Sequence, residues 1–222
     1  MAILPIDEIS NGTWIAVNDA GLTLTLLNVY QPLERVESPA APIRMSTVAD
    51  PAGATPRSRG TIIPALLHLG SVAAIAEKIG SVLNPAHFPP FRLIAVDAQS
   101  VIDARGDGNG LHVRVVPRHT EPLLFTSSGL GDHIVEGPRR ALFAEYFQDG
   151  RNWPAQQEAY HRHSWPDRRD ISVCMRREKA RTVSYTVVEV TPGKVTMHYH
   201  PEAPDTAATM SSFTLPRTEC SA

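Results

Sequence analysis

The chain has 222 residues, 42% hydrophobic and 20% charged, with 14 Gly and 19 Pro. That length buries a core without staples, and the composition excludes collagen-like, coiled-coil and wholly disordered readings. Twenty-one Lys plus Arg against 23 Asp plus Glu give a formal net charge of -2, so no global field draws in nucleic acid or an anionic membrane. No apolar run reaches the length of a membrane span and residues 1–8 lack a secretory pattern, so a cytoplasmic protein is expected. Cys174 and Cys220 show no CxxC spacing, which supports neither a disulfide framework nor a cysteine zinc site.

Residues 13–17 and 22–30 are rich in Trp, Ile, Val, Leu and Thr and flank Asn18-Asp19-Ala20-Gly21, which predicts a β-hairpin. Alternation in Leu22-Thr23-Leu24-Thr25-Leu26 sets leucines on one face and threonines on the other. Five prolines among Ala and Ser mark residues 31–57 as a long surface loop. An apolar helical stretch follows at 60–69, with Pro64 tolerable in a first turn, and then a helix over 71–83 capped by Ser71, its stripe formed by Val72, Ile75, Ala76, Ile79 and Leu83.

Three β-rich runs at 92–96, 101–105 and 111–116 predict a meander, and 123–126 reads as a further short strand. A helix is expected over 136–147, opened by Gly137-Pro138, with Ala141, Leu142, Ala144, Tyr146 and Phe147 on its apolar side. Runs at 171–175, 181–190 and 194–200 form a second β-rich set, and 201–222 reads as a polar, peripheral tail. Without regular βαβ alternation, the expected class is α+β: one domain over 1–200 with antiparallel sheets covered by helices.

Gly12-Thr13-Trp14-Ile15-Ala16-Val17-Asn18, Gly21-Leu22, Leu27-Asn28, Ser58-Arg59-Gly60 and Thr126-Ser127-Ser128, in that order, resemble the family of transport and Golgi organisation protein 2, whose bacterial members are called NRDE proteins. The resemblance runs from about Asp7 to Thr196. It implies a four-layer αββα sandwich related to the N-terminal-nucleophile (Ntn) hydrolases. In such hydrolases a cysteine after the initiator methionine attacks the substrate and its own α-amino group serves as base. Here position 2 is Ala2, the Asn-Arg-Asp-Glu motif is absent, and the family's first hairpin has no counterpart. A sheet edge short of its partner is then expected to promote a homodimer.

By resemblance Asn28 and Ser127 occupy oxyanion-hole positions, where a donor aimed at developing charge is worth a few kcal/mol; the alternative for Asn28 is a strand cap. Asn18, Trp14 and Arg59 are the candidate ligand-binding residues. Arg59 stands where a helix entrance could receive an anion, against the alternative of a structural ion pair, and Trp14 equally suits a core position. His161 with His163 and His198 with His200 have metal-ligand spacing, but no zinc signature accompanies them, and solvated or hydrogen-bonded histidines are the simpler reading; no metal is expected. The tract 168–181 is strongly basic, read as solvated charge with an anion-binding surface as the alternative.

The expected function is non-catalytic handling of a small molecule, haem-like or lipid-like, on an Ntn-type scaffold without its nucleophile, with no other cofactor and no nucleic-acid partner. An amide hydrolase or acyltransferase is the alternative if the natural chain carries an upstream Cys-bearing segment.

Overall fold

The computed structural model describes residues 1–8, 11–30, 57–118, 121–148 and 152–218. The Pro-rich loop therefore lies outside the described residues except for Arg57, as does Cys220. Among the described residues the fold is α+β, with two antiparallel sheets and four α-helices. The first sheet is a meander in chain order: β1 (Ala2–Ile3), β2 (Ile15–Asn18), β3 (Thr23–Asn28), β4 (Phe91–Val96), β5 (Ser100–Gly106) and β6 (Leu111–Pro117). The second contains β7 (Tyr185–Val190), β8 (Lys194–His200) and β9 (Ser211–Pro216).

Register explains the alternation of the sequence. Leu24 lies opposite Ala95, and Ala95 opposite Ile102, so the apolar positions of β3, β4 and β5 share one face. Helices α1 (Ile62–Leu66) and α2 (Val72–Val82) cover that face with Ile62, Ile63, Leu66, Val72, Ile75 and Ile79, all buried in one cluster with Leu22, Leu24, Phe91 and Leu93. Each large side chain so buried contributes about 1.5–3 kcal/mol. Pro64 falls in the first turn of α1, where its missing N–H costs nothing. Ser71 Oγ accepts from the Ala74 amide at 3.2 Å and caps α2.

The other face of β2 meets the second sheet, where Val17, Ile3 and Ile15 pack against Val195, Met197 and Val188. Tyr185, on the opposite side of β7 from Val188, lies 5.0 Å from the ring of His161 in α4 (Trp153–Arg162). Helix α4 leans in turn on α3 (Asp132–Tyr146) through Phe143 and Tyr160, 5.5 Å apart and edge to face.

Four expectations are corrected. Residues 123–126 form no strand: Leu123 is exposed, and none of the described residues pairs with the segment along its length. Residues 171–175 form turns, and their surroundings contribute only the single bridge Arg176↔Arg181. Helix α3 starts at Asp132, so Pro138 is inside it rather than at its start. The start is set by Gly131 at φ 105° and by Asp132, whose Oδ1 accepts from the Ser128 amide at 3.0 Å. Its buried stripe is Val135, Arg139 and Leu142, while Ala141 and Ala144 are exposed. The stretch read as a tail supplies β9, paired along β8 from Lys194↔Pro216 to Tyr199↔Ser211. The edge of β2 is occupied over two residues by β1, with Ala2 opposite Asn18 and Ile3 opposite Val17.

His161 ties α4 to the second sheet as a neutral ring. Its Nδ1–H donates to the Gln157 carbonyl at 2.7 Å, and burial holds its pKa below the ordinary 6.5. The unfolded chain takes up this proton below about pH 6.5 while the folded chain resists it, so the contribution is complete above that pH and declines below it. Urea unfolding from pH 7.5 to 5 is expected to show stability falling with pH, and His161→Phe is expected to have a shallower fall.

Candidate functional site

Gly12, Thr13, Asn18 and Gly60, among the residues that carry the resemblance, join the hairpin to α1. A Cβ on Gly12 would stand 2.7 Å from Gly60 Cα, and one on Gly60 would stand 2.8 Å from Gly12 Cα, so the two backbones touch only because both residues are glycine. The Thr13 amide donates to the Gly60 carbonyl at 3.0 Å across this contact. Arg59, half-buried in the 3-10 turn Arg59–Thr61, donates from Nη1 to the Pro90 carbonyl at 2.8 Å. Its guanidinium thus ties this turn to the start of β4.

Asn18 is 5% exposed and uses its whole side-chain capacity within the protein. Nδ2 donates to the Leu67 and Leu69 carbonyls at 3.0 and 2.9 Å, while Oδ1 accepts from the Ala20 and Leu22 amides, each at 3.1 Å. The first pair closes the chain leaving α1; the second closes the β2–β3 turn. Gly21, at φ 84°, completes that turn, and a Cβ there would also meet Val190 Cγ1 at 2.8 Å. Asn28 ends β3, exposed and opposite Phe91. Trp14 is 36% exposed, its ring 6.5 Å from Tyr199. Ser127 is half-buried, and its carbonyl accepts from Arg139 Nη1 at 3.2 Å. No side-chain hydrogen bond links any of Asn18, Trp14, Asn28, Arg59 and Ser127 to another.

A residue absent from the sequence-based expectations organises the second half. Arg139, 8% exposed, donates from Nε to Ile171 O at 3.0 Å, from Nη2 to Ser172 O at 2.8 Å and from Nη1 to Thr126 Oγ1 at 2.7 Å. The signal for it was its spacing, four residues after Val135 and three before Leu142, which puts a guanidinium on the apolar stripe of α3. Ser172 relays the contact, accepting from the Trp165 amide at 2.9 Å and donating to the Arg168 carbonyl at 2.9 Å.

Beside this relay is a cavity of about 330 Å³, with Ser164, Arg169, Cys174, Arg176, Arg181 and Asp205 among its lining residues. It takes shape where the chain doubles back: the Arg177 amide donates to Ala180 O at 2.7 Å and the Thr182 amide to Met175 O at 3.0 Å, and Arg176 faces Arg181 across the bridge. The Arg176 amide fastens this turn to the Arg169 carbonyl at 3.0 Å. Cys174 is 5% exposed; burial first, and the neighbouring Asp205 carboxylate second, push its thiol up to about 11. A thiol in that state is protonated near neutral pH and is a poor nucleophile.

The histidines of the two paired motifs take protein contacts. Besides His161, His163 Nδ1 is 3.3 Å from Tyr146 Oη, His198 Nδ1 is 2.8 Å from Ser212 Oγ, and the His200 ring is 5.7 Å from Tyr185. Among the described residues no group of three His, Cys, Asp or Glu side chains is arranged to hold a metal ion. No helix among them is long and apolar enough to cross a membrane. No protein-family model and no curated protein matches the chain.

Asn18→Ala would take the side-chain partner from the Leu67 and Leu69 carbonyls and from two turn amides together. It is expected to lower the unfolding free energy by about 2 kcal/mol or more, measured by denaturant titration, with far-UV circular dichroism of the folded state unchanged.

Proposed function

We propose that the chain is an NRDE-type protein on a four-layer αββα scaffold which binds and passes on a small molecule without cleaving it. The order of contacts supports the scaffold: α1 and α2 lie on the first sheet, the first sheet on the second, and α4 with α3 beyond the second. The observation that carries the functional reading is Cys174, a thiol in the wall of a cavity and held protonated there. Nucleophilic acyl transfer requires a thiolate or a base to generate one. Asp205 beside this thiol has the opposite effect, because a negative neighbour disfavours a second negative charge.

The donor set also bears on the kind of molecule. Haem iron is commonly held by a histidine or a thiolate, whereas among the described residues no histidine lines this cavity, and its thiol is protonated. Those residues do not suit haem. The volume of about 330 Å³ lies at the low end of ligand pockets, near 300–1,000 Å³, which favours a compact molecule over a macrocycle.

Two measurements test the reading. In a Cys220→Ser chain, alkylation of Cys174 by iodoacetamide at pH 7.5 is expected to run on the order of a hundredfold slower than that of an exposed cysteine. The purified chain is also expected to leave p-nitroanilides and acyl amides intact and to give no spectral change on titration with haemin. Turnover of an acyl amide would overturn the non-catalytic reading, and a saturable Soret shift would restore haem as the ligand.

A further inference from the structure

The basic tract 168–181 does not behave uniformly in the fold. Two of its arginines are engaged: Arg168 stacks on the Trp165 ring at 4.9 Å, and Arg177 donates to the Asp170 carbonyl and to Ser128 Oγ, each at 2.8 Å. The other three, Arg169, Arg176 and Arg181, line the cavity, and among the described residues no hydrogen bond or ion pair engages their guanidinium groups. Among the described residues Asp205 is the only carboxylate that lines the cavity, so their charges leave two positive charges unbalanced.

All three of these arginines are exposed, and two of them stand in like-charge opposition. Arg176 and Arg181 are directly opposite one another across an antiparallel bridge, where like charges destabilise the pairing. The turn is nonetheless well tied by its backbone, with hydrogen bonds of 2.7 and 3.0 Å on its two sides. Hydroxyl donors are also at hand. Thr182 Oγ1 accepts from the Met175 amide at 3.0 Å, which leaves its own proton to offer, and Ser164 lies on the same wall. A backbone that holds two like charges together beside a third, over a small hollow with hydroxyl donors, is suited to an oxyanion that bridges them.

We infer that this cavity binds the dianionic head of a small organic molecule, a phosphate monoester or a dicarboxylate, through Arg169, Arg176 and Arg181. This rests on the reading of the chain as a binding protein and adds the ligand's charge and head group. Two charges on the ligand match the two left over in the lining, and planar guanidinium groups pair with either oxyanion in bidentate fashion.

The test is calorimetric titration of the full chain at low ionic strength with inorganic phosphate in one arm and succinate in the other. One saturable site per chain is expected for at least one of them, and the arm that binds names the head group. Arg176→Gln and Arg181→Gln are each expected to weaken that binding about tenfold or more. Arg140→Gln, which removes an exposed guanidinium paired with Glu136, is expected to leave it unchanged. In anion-free buffer Arg181→Gln is expected to melt at or above the wild-type temperature, because the opposed pair is gone; this readout also shows that the variant folds, and Arg176→Gln, which removes the same opposition, serves in its place if it does not. Absence of saturable binding in both arms, or binding retained by both Gln variants, would overturn the inference. Binding of uncharged or monoanionic molecules alone would do so while leaving the non-catalytic reading in place, whereas acyl-amide turnover would remove that reading itself.

Discussion

The fold depends on a place where two stretches of main chain touch without side chains between them. Gly12 and Gly60 each occupy the space a Cβ would need on the other, and the Thr13 amide bonds across the contact. Asn18 makes the second attachment, closing its own turn with one end of its amide and the exit of α1 with the other. These attachments set the hairpin against α1 at one distance. With that distance fixed, Leu22 and Leu24 reach the same cluster as Ile62, Ile63 and Leu66, while Val17 on the reverse face remains available to the second sheet.

This geometry separates the conspicuous motif from the candidate chemistry. Asn18 and Arg59 hold the first half of the chain to itself, and Asn28 is exposed at a strand end. Among the described residues, the titratable and cationic groups that line this cavity are in the second half, in irregular chain between α4 and β7 and in the loop before β9. Arg139 supports them from beneath. Its bonds to Ile171 and Ser172, relayed by Ser172 to Trp165 and Arg168, fix the chain that carries Ser164, Arg169 and Cys174. Irregular backbone of this kind needs such ties, because buried carbonyls without a partner are expensive.

What was legible in the sequence was whatever burial had written into a period. The leucines of β3, the runs of β4 and β5 and the Val72-Ile75-Ile79 stripe each face one apolar layer, so alternation or helical spacing predicts them. The misreadings have other causes. Residues 123–126 and 171–175 have strand-like composition, but a strand also needs a neighbour with free backbone groups. Strand β9 has one, although most of its residues are exposed and its sequence is polar. The start of α3 depends on Gly131 and Asp132 rather than on a proline, and Pro138 is tolerated within the helix. The cavity was not legible at all, since it depends on a bridge that sets Arg176 against Arg181 and on Asp205 returning from a distant loop.

Native-state hydrogen exchange on the wild type and on Gly60→Ala tests the clamp most directly, because a methyl group there cannot fit without parting the two backbones. Thr13 and Leu22 amides, with those of α1, should lose protection together in the variant while β7 to β9 keep theirs. Wild-type exchange at Thr13 and Leu22 in Gly60→Ala would contradict the account.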